Sequence, residues 1–364
     1  MHPMRLAQQA RQASLALSSL SAPQRSRALM VAAHSLMRHR RAIIAASASD
    51  VARARGKVSP AFLDRLALDE ERFHEMVNAV EDIARQRDPL GHIIESKKIK
   101  NGVTLKKITV PIGVLLVIYE ARPHVTADAA ALALRAGNAV ILKGGSEALG
   151  ANRLIARCFR RALRDTRLPP HAVQFIDTAD RRVIKKLLKL PDTIDLVIPR
   201  GGYGLVTWVR KESEIPSLSH AEGLDHTYVA ASADIPLALK VIVNAKTSFP
   251  AGCNALDHLL VHARIARKLL PSLQDALRPY RVELRGDASA RRIINIKAAI
   301  ARDWDTEYLG LKMGIKIVRN VEEAVAHINA HGSKHSEGVI ARDHKTIRVF
   351  QDKVDAAAIF VNCS

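Results

Sequence analysis

Cys253 stands in Pro250-Ala-Gly-Cys-Asn254, a glycine-containing loop between an apolar helical pattern and an apolar strand pattern. A thiolate in such a loop attacks carbonyl carbon and leaves again after acyl transfer, so a covalent acyl intermediate is the chemistry to expect. Cysteine is also among the most buried residue types, and the sulfur alone leaves packing and catalysis both open. Cys158 lies on the apolar face of LIARCFRRAL and reads as core, and Cys363 reads as incidental. No CxxC or HExxH spacing is present, so neither a metal site nor a disulfide framework is expected.

Two turns could hold anions. Lys143-Gly144-Gly145-Ser146 follows the apolar run Ala139 to Leu142, and Arg200-Gly201-Gly202 follows Ile194 to Ile198. A cation and two glycines where a strand gives way to a helix offer free amide groups, a helix dipole and close approach to phosphate. Ser146 is the candidate N-cap of a helix over Glu147 to Arg164. Neither turn matches GxGxxG, but two such turns at the ends of one parallel sheet suit a ligand with several negative charges.

The elements that must position these groups follow from periodicity. Gly113 to Tyr119 is an unbroken aliphatic run, as in a strand buried on both faces. Glu120-Ala-Arg122-Pro123 ends it, Thr126 to Arg135 has helical spacing, and Gly137-Asn138 fits a helix C-terminus. The result is a βαβ crossover. Before it, residues 5 to about 87 read as helices over Arg5 to Ser19, Ala22 to Ala46, Ser47 to Arg55 and Asp69 to Arg85. Between these regions, two polar β-rich segments flank Asn101-Gly102, the signal for a type I′ hairpin turn. So polar a hairpin stands away from the core and is expected to meet another subunit. After Pro216, the segment SLSHAEGLDHTYVAASAD holds His220, Glu222, Asp225 and His226 without metal spacing, which points to positioning roles. Strands and helices alternate from Ile235 to the chain end as a second α/β unit.

Composition sets outer limits. A chain of 364 residues with 48% hydrophobic content can build large cores, which excludes disorder as its main state. A formal charge of +20 favours anionic partners, yet aromatics are only 4% and the cations are spread over many helices, so nucleic acid is not the expected partner. No apolar run reaches the ~20 residues of a membrane span. The Arg- and Ser-containing N-terminus superficially suggests an organelle transit peptide, but its period is that of a surface helix. A reduced, cytoplasmic protein is expected.

Taken together, VPIGVLLVIYEARP, AGNAVILKGGSEA, IDLVIPRGG, GCNALDHLLVH and DWDTEYL resemble the gamma-glutamyl phosphate reductase family of the aldehyde dehydrogenase superfamily, in consistent order from about Leu6 to Asn362. The resemblance implies an α/β, aldehyde dehydrogenase-like fold with a doubly wound NADPH-binding domain over 1–91 and 111–234. It further implies an oligomerisation hairpin over 92–110 and a catalytic domain over 235–364. The implied reaction is NADPH-dependent reduction of L-glutamyl 5-phosphate to the 5-semialdehyde through a thioester on Cys253, in proline biosynthesis. Asn254 would help stabilise the oxyanion, and Glu120, Arg122 and His226 would meet the substrate. Lys143, Gly144, Gly145 and Ser146 would meet the adenosine-side phosphates, Arg200, Gly201 and Gly202 the pyrophosphate, and Glu307 the nicotinamide ribose. Glutamate 5-kinase is the implied pathway partner, and a homo-oligomer is the family's usual assembly.

The chain departs from the family pattern at Ala121, His124, Asp225 and Asp257-His258. Relatives also continue for several dozen residues past Ser364, with a tail expected to supply a Gly-rich segment and a closing strand. Two other readings stay open: a hydrolytic aldehyde dehydrogenase with Glu222 as the water-activating base, and an inactive truncated homologue acting as a basic binding protein.

Overall fold

The computed structural model describes residues 2–120, 122–218 and 223–364, apart from the side chains of Pro60, Ala61 and Tyr203. His220 and Glu222, and Ala121 of the EARP motif, lie outside the described residues. Contacts divide the chain into two compact units, 1–220 and 221–364.

Unit 1 opens with helices α1 (Pro3–Ser18), α2 (Ala22–Arg38), α3 (Arg40–Ala54), α4 (Pro60–Leu66) and α5 (Glu70–Arg85). The single helix expected over 22–46 breaks at His39, where no glycine or proline marks it. There the amide of His39 bonds the Leu36 carbonyl and its Nδ1 lies 2.7 Å from the Ser35 carbonyl oxygen. The hairpin β1 (Ile93–Lys98) and β2 (Thr104–Ile108) follows as a separate antiparallel pair, with every residue of both strands exposed. Its turn corrects the type I′ expectation. The Gly102 amide donates to the Ile99 carbonyl, and Gly102 has φ +84 while Asn101 is not among the positive-φ residues. A three-residue loop with glycine in the bulge position results, instead of two positive-φ residues.

The sheet of unit 1 comprises β3 (Val114–Tyr119), β4 (Ala139–Lys143), β5 (Val173–Phe175) and β6 (Leu196–Arg200), all parallel in the order β5-β4-β3-β6. Helices α6 (Pro123–Arg135), α7 (Leu149–Asp165), α8 (Arg181–Leu187) and α9 (Tyr203–Glu212) alternate with these strands. Every residue of β3 and β4 is buried, because aliphatic side chains on both faces meet helices on both sides. Gly137 takes φ +70 at the end of α6, as its position required.

Unit 2 is built on a seven-stranded sheet. Its strands are β7 (Asp225–Val229), β8 (Leu256–His262), β9 (Glu283–Gly286), β10 (Lys297–Ala298), β11 (Lys312–Val318), β12 (Ser336–Ile340) and β13 (Ala358–Val361), in the order β10-β9-β11-β8-β7-β12-β13. All its pairings are parallel. The helices are α10 (Ile235–Thr247), α11 (Ala263–Leu277), α12 (Ala288–Arg291), α13 (Val321–His331) and α14 (His344–Lys353). Four of them start at Asp234, Asp287, Asn320 and Asp343, whose side chains each accept an amide of the first turn. Each such cap is worth ~1 kcal/mol. Strand β7 went unrecognised in the sequence because Asp225, His226 and Thr227 read as polar loop. It pairs with β8 and β12 and therefore places 225–229 in unit 2, so the contact boundary falls at 220/221 and not at 234.

Candidate active site

Strands β3 to β6 of unit 1 bring their C-terminal ends together. Order β5-β4-β3-β6 means that the chain moves outward from β3 on one side, then crosses to the other, which leaves a crevice at the β3/β6 ends where ligands bind in doubly wound sheets. Glu120 and Arg122 leave β3 at that point, and Arg200-Gly201-Gly202 leave β6 beside them. The Glu120 amide donates to the Arg200 carbonyl at 3.2 Å, and the Glu120 carboxylate accepts the Gly202 amide at 3.1 Å. A Cβ on Gly201 would come within 2.7 to 2.8 Å of the Glu120 side chain, whereas one on Gly202 would meet only Glu120 Oε1, at an ordinary contact distance of 3.8 Å. Helix α9 starts there at Gly202 with no side-chain cap, beside the exposed Arg200; the Leu205 amide is taken by the Gly202 carbonyl, which leaves the amides of Tyr203 and Gly204 as those available to an anion. Burial and the neighbouring Arg122, Arg72 and Arg200 push the His124 imidazole pKa down, so it stays neutral in this cationic crevice.

The Lys143 turn is built differently. Ser146 does not cap α7. It opens a short 3-10 turn over Ser146–Ala148, and the α-helix begins at Leu149. The amides of Gly150 and Ala151 are instead taken by the carboxylate of Asp50, from α3, which is 1% exposed and paired with Arg53. A protein carboxylate thus already fills the place an anion would take at α7. Lys143 is 6% exposed, its Nζ donates to the Gly144 carbonyl, and burial lowers its pKa. A Cβ on Gly144 would meet Asn152 Nδ2 at 2.2 Å and the Tyr119 ring, so this glycine answers to internal packing. What remains for a phosphate is the backbone from 144 to 146.

In unit 2 the reactive group sits before the strands, not after them. Cys253 is exposed, on two linked turns in which the Gly252 amide bonds the Phe249 carbonyl and the Ala255 amide bonds the Gly252 carbonyl. Asn254 beside it is exposed as well. Gly223 packs on the Cys253 backbone so tightly that a Cβ there would lie 1.9 Å from the Cys253 carbonyl oxygen. The Gly223 amide in turn donates to Glu307 Oε1 at 3.2 Å. Cys253, Gly223 and Glu307 are therefore brought together, and one oxygen of Glu307, expected at a ribose, is engaged by the chain itself. Behind the loop, Lys246 is fully buried, with Nζ 2.7 Å from the Leu256 carbonyl and 3.4 Å from Asp257 Oδ1, which pins the start of β8.

His226 does not face solvent. It is 1% exposed, with Nδ1 3.2 Å from Glu337 Oε2 and its ring centroid 5.2 Å from His258 and 5.6 Å from His327. A side chain so enclosed does not reach substrate in this conformation, which counts against the contact the resemblance implied and fits the positioning role read from its segment. Burial drives His226 down to about 3 and His258 to about 2, so both are neutral imidazoles. It pushes Asp225 up to about 9, with the nearby Glu337 adding repulsion, and raises Glu337 well above the carboxylate range. Asp225 Oδ1 and Glu337 Oε2 each accept an amide of a neighbouring strand, from Ser336 and His226. Sequence reasoning missed Glu337, His258 and His327 as neighbours of His226, since no spacing links them; only the pairing of β7, β8 and β12 and the packing of α13 bring them together. A size exchange was legible in principle: His258 faces Gly314 on β11, where a Cβ would lie 2.3 Å from the imidazole Nδ1. Among the described residues no group of His, Cys, Asp or Glu has the geometry to hold a metal ion.

Unit 1, with its switch-point crevice, and unit 2, with an exposed thiol beside a close glycine contact, each have the parallel-sheet architecture of an aldehyde dehydrogenase. The description "Aldehyde dehydrogenase family" matches residues 4–292, and the chain belongs to that family. Within it, the chain belongs with the gamma-glutamyl phosphate reductases. It is 44% identical over 365 residues to the gamma-glutamyl phosphate reductase of Xylella fastidiosa (strain M23), covering 100% of this chain and 86% of that protein. The Clostridium botulinum (strain Eklund 17B / Type B) protein of the same name is 42% identical over 359 residues, covering 98% of this chain and 87% of it. The crystal structure of the Thermotoga maritima gamma-glutamyl phosphate reductase superposes with a TM-score of 0.96 at 38% identity, covering 100% of this chain and 88% of that one. An acetylating aldehyde dehydrogenase from Geobacillus thermoglucosidasius shares the fold, with a TM-score of 0.71 at 16% identity. Membership of the family implies a nicotinamide cofactor, and the open amides of α9 with Arg200 fit its phosphates. No helix among the described residues is long and apolar enough to cross a membrane.

Proposed function

We propose that this chain reduces L-glutamyl 5-phosphate to L-glutamate 5-semialdehyde with NADPH, releasing phosphate, in proline biosynthesis. One observation carries the chemistry: Cys253 is exposed at the head of β8, its carbonyl locked against Gly223. The sulfur, as thiolate, attacks the acyl carbon; the S–C bond forms, the C–O bond to phosphate breaks, and phosphate leaves as the dianion. A nicotinamide dinucleotide held by the Arg200 and Lys143 turns would supply hydride to the thioester carbonyl carbon. Asn254 and amides of the 252–255 turns hold the resulting oxyanion, whose collapse breaks the S–C bond, frees aldehyde and regenerates the thiolate.

Other residues orient. Arg200, Gly201 and Gly202 hold the pyrophosphate, and Gly144 to Ser146 the adenosine-side phosphate, with Lys143 acting on it through the local field, since its ammonium is turned onto the Gly144 carbonyl. Glu307, anchored by the Gly223 amide, meets the nicotinamide ribose. Glu120 fixes the Gly202 turn, and Arg122 meets anionic substrate. His226 ties β7 to β12 from within, through its amide on Glu337. Residues 92–110 serve assembly with further copies, and the product of a glutamate kinase is the substrate.

The test is semialdehyde oxidation by this chain with and without inorganic phosphate. Strict phosphate dependence, and preference for NADP over NAD, are expected; phosphate-independent turnover would replace this reading with hydrolysis. The relatives' common name favours the phosphate-dependent reaction.

A further inference from the structure

Many arginines of this chain have a carboxylate partner: Arg11 with Asp195, Arg25 with Asp88, Arg72 with Asp64, Arg153 with Asp177. One groove of unit 1 departs from that habit. It has a volume of about 610 Å³, and α7 lines it with Arg157, Arg160, Arg161 and Arg164, facing His39 where α2 meets α3. An adjoining hollow of about 430 Å³ shares Arg161 and adds Arg27, His34 and Arg38 from α2. Asp165 is the single carboxylate among the lining residues, and its contact with Arg161 Nε is a loose 3.8 Å between exposed side chains. Among the described residues, Arg27, Arg38, Arg157 and Arg164 have no carboxylate within ion-pair range, and the buried Nε of Arg160 has no acceptor.

Like charges three, four and seven residues apart on a helix repel one another. That repulsion registers inside the fold: besides burial, Arg164 and Arg157 lower the pKa of Arg160, and Arg160, Arg164 and Arg5 lower that of His171. An anion among the guanidinium groups would relieve it.

We propose that the α2/α7 groove binds a compact oligophosphate, a run of two or more phosphate groups such as inorganic polyphosphate or a nucleoside triphosphate presents. The seven-residue step from Arg157 to Arg164 spans roughly 10 Å of helix, the reach of a short phosphate chain. Guanidinium forks take phosphate oxygens two at a time. The volume lies in the range of about 300–1,000 Å³ usual for small-ligand sites. No Phe, Tyr or Trp lines either hollow, so bases find no stacking platform and single-stranded nucleic acid is disfavoured. The groove lies two turns and more beyond the start of α7, and none of its residues belongs to the Lys143 or Arg200 turns.

Calorimetric titration of the full chain with sodium tripolyphosphate at low salt tests the assignment. Binding is expected to weaken by about tenfold or more in the Arg157→Ala, Arg160→Ala, Arg164→Ala triple variant, with the far-ultraviolet circular dichroism spectrum and melting temperature checked alongside. Arg161→Glu alone, a milder change to the fold, is expected to act in the same direction. A Lys143→Ala, Arg200→Ala variant is expected to keep the groove's binding, and ATP to bind about as well as tripolyphosphate. The proposal is overturned if tripolyphosphate binding survives both groove variants, if it vanishes instead in the Lys143/Arg200 variant, or if orthophosphate binds equally well. Tighter, groove-dependent binding of a single-stranded oligonucleotide would overturn it in favour of nucleic acid.

Discussion

The two parallel sheets carry their candidate functional residues at opposite ends. In unit 1, Glu120, Lys143 and Arg200 all stand at the C-terminal ends of their strands, and the strand interiors from Val114 to Tyr119 and Ala139 to Leu142 carry no ionisable group apart from the Tyr119 phenol. In unit 2, Cys253, Gly223 and Glu307 precede β8, β7 and β11, and the strands themselves bury Asp225, His226, Asp257, His258 and Glu337. Placing a ligand at C-terminal ends needs only a hydrophobic scaffold and open amides, because adjacent helix N-termini supply the positive end of a dipole. A nucleophile at N-terminal ends would have no such help. The start of β8 after the Cys253 loop is pinned by Lys246, which donates to the Leu256 carbonyl, and in the adjoining β7 the His226 amide donates to Glu337.

The largest test of this contrast is the thiol. Cys253→Ser, at an exposed position, is expected to leave melting unchanged and reduce turnover by roughly a thousandfold or more. Activity within tenfold of wild type in a steady-state assay would mean that the N-terminal ends of unit 2 are not where chemistry happens.

Gly223→Ala comes next. The added methyl must displace the Cys253 carbonyl, so a fall of about a hundredfold in kcat is expected from misplacement alone. Slower alkylation of Cys253 by iodoacetamide, with kcat falling and KM of the dinucleotide little changed, is the signature of a displaced nucleophile. An unaltered kcat would break the link between β7 and the thiol.

Titration separates the two interiors further. Asp225 has a folded pKa near 9, above its unfolded value, so the folded state holds a proton that the unfolded state has lost. Its contribution is complete below the unfolded value and disappears as pH rises towards 9; between pH 7 and 9 the chain is expected to lose about 2 kcal/mol on this account. The imidazoles act oppositely. His226 and His258 are depressed below their unfolded values, so their effect appears only as pH falls below about 6.5 and leaves the alkaline window untouched. Denaturant melts at pH 7, 8 and 9 should therefore show a slope that Asp225→Asn flattens. A slope unaffected by that change would remove the buried carboxyl from the account.

The smallest expected effect belongs to unit 1. Glu120 is exposed and its carboxylate accepts the Gly202 amide, so Glu120→Gln is expected to change stability by less than about 0.5 kcal/mol while raising the dinucleotide KM several-fold. A loss of folding stability as large as that from a core deletion would show that this end of the sheet also supports the fold.

Much of this protein is local in origin and could be read from the chain. Aliphatic runs announced β3 and β4, Gly137 announced the end of α6, and the loop at Cys253 stood out because glycine, thiol and amide side chain share five residues. Periodicity and turn chemistry act over a few residues, so they survive without knowledge of neighbours. Other features depended on which segments pack together. Asp50 caps a helix 100 positions further on, Gly223 bears on Cys253 from 30 residues away, and Asp225 and His226 belong to a strand only because Glu337 and Ser336 meet them. A polar residue reads as loop until the partner that satisfies it in a water-excluded interior is known, and that partner is chosen by strand order, which no local pattern encodes.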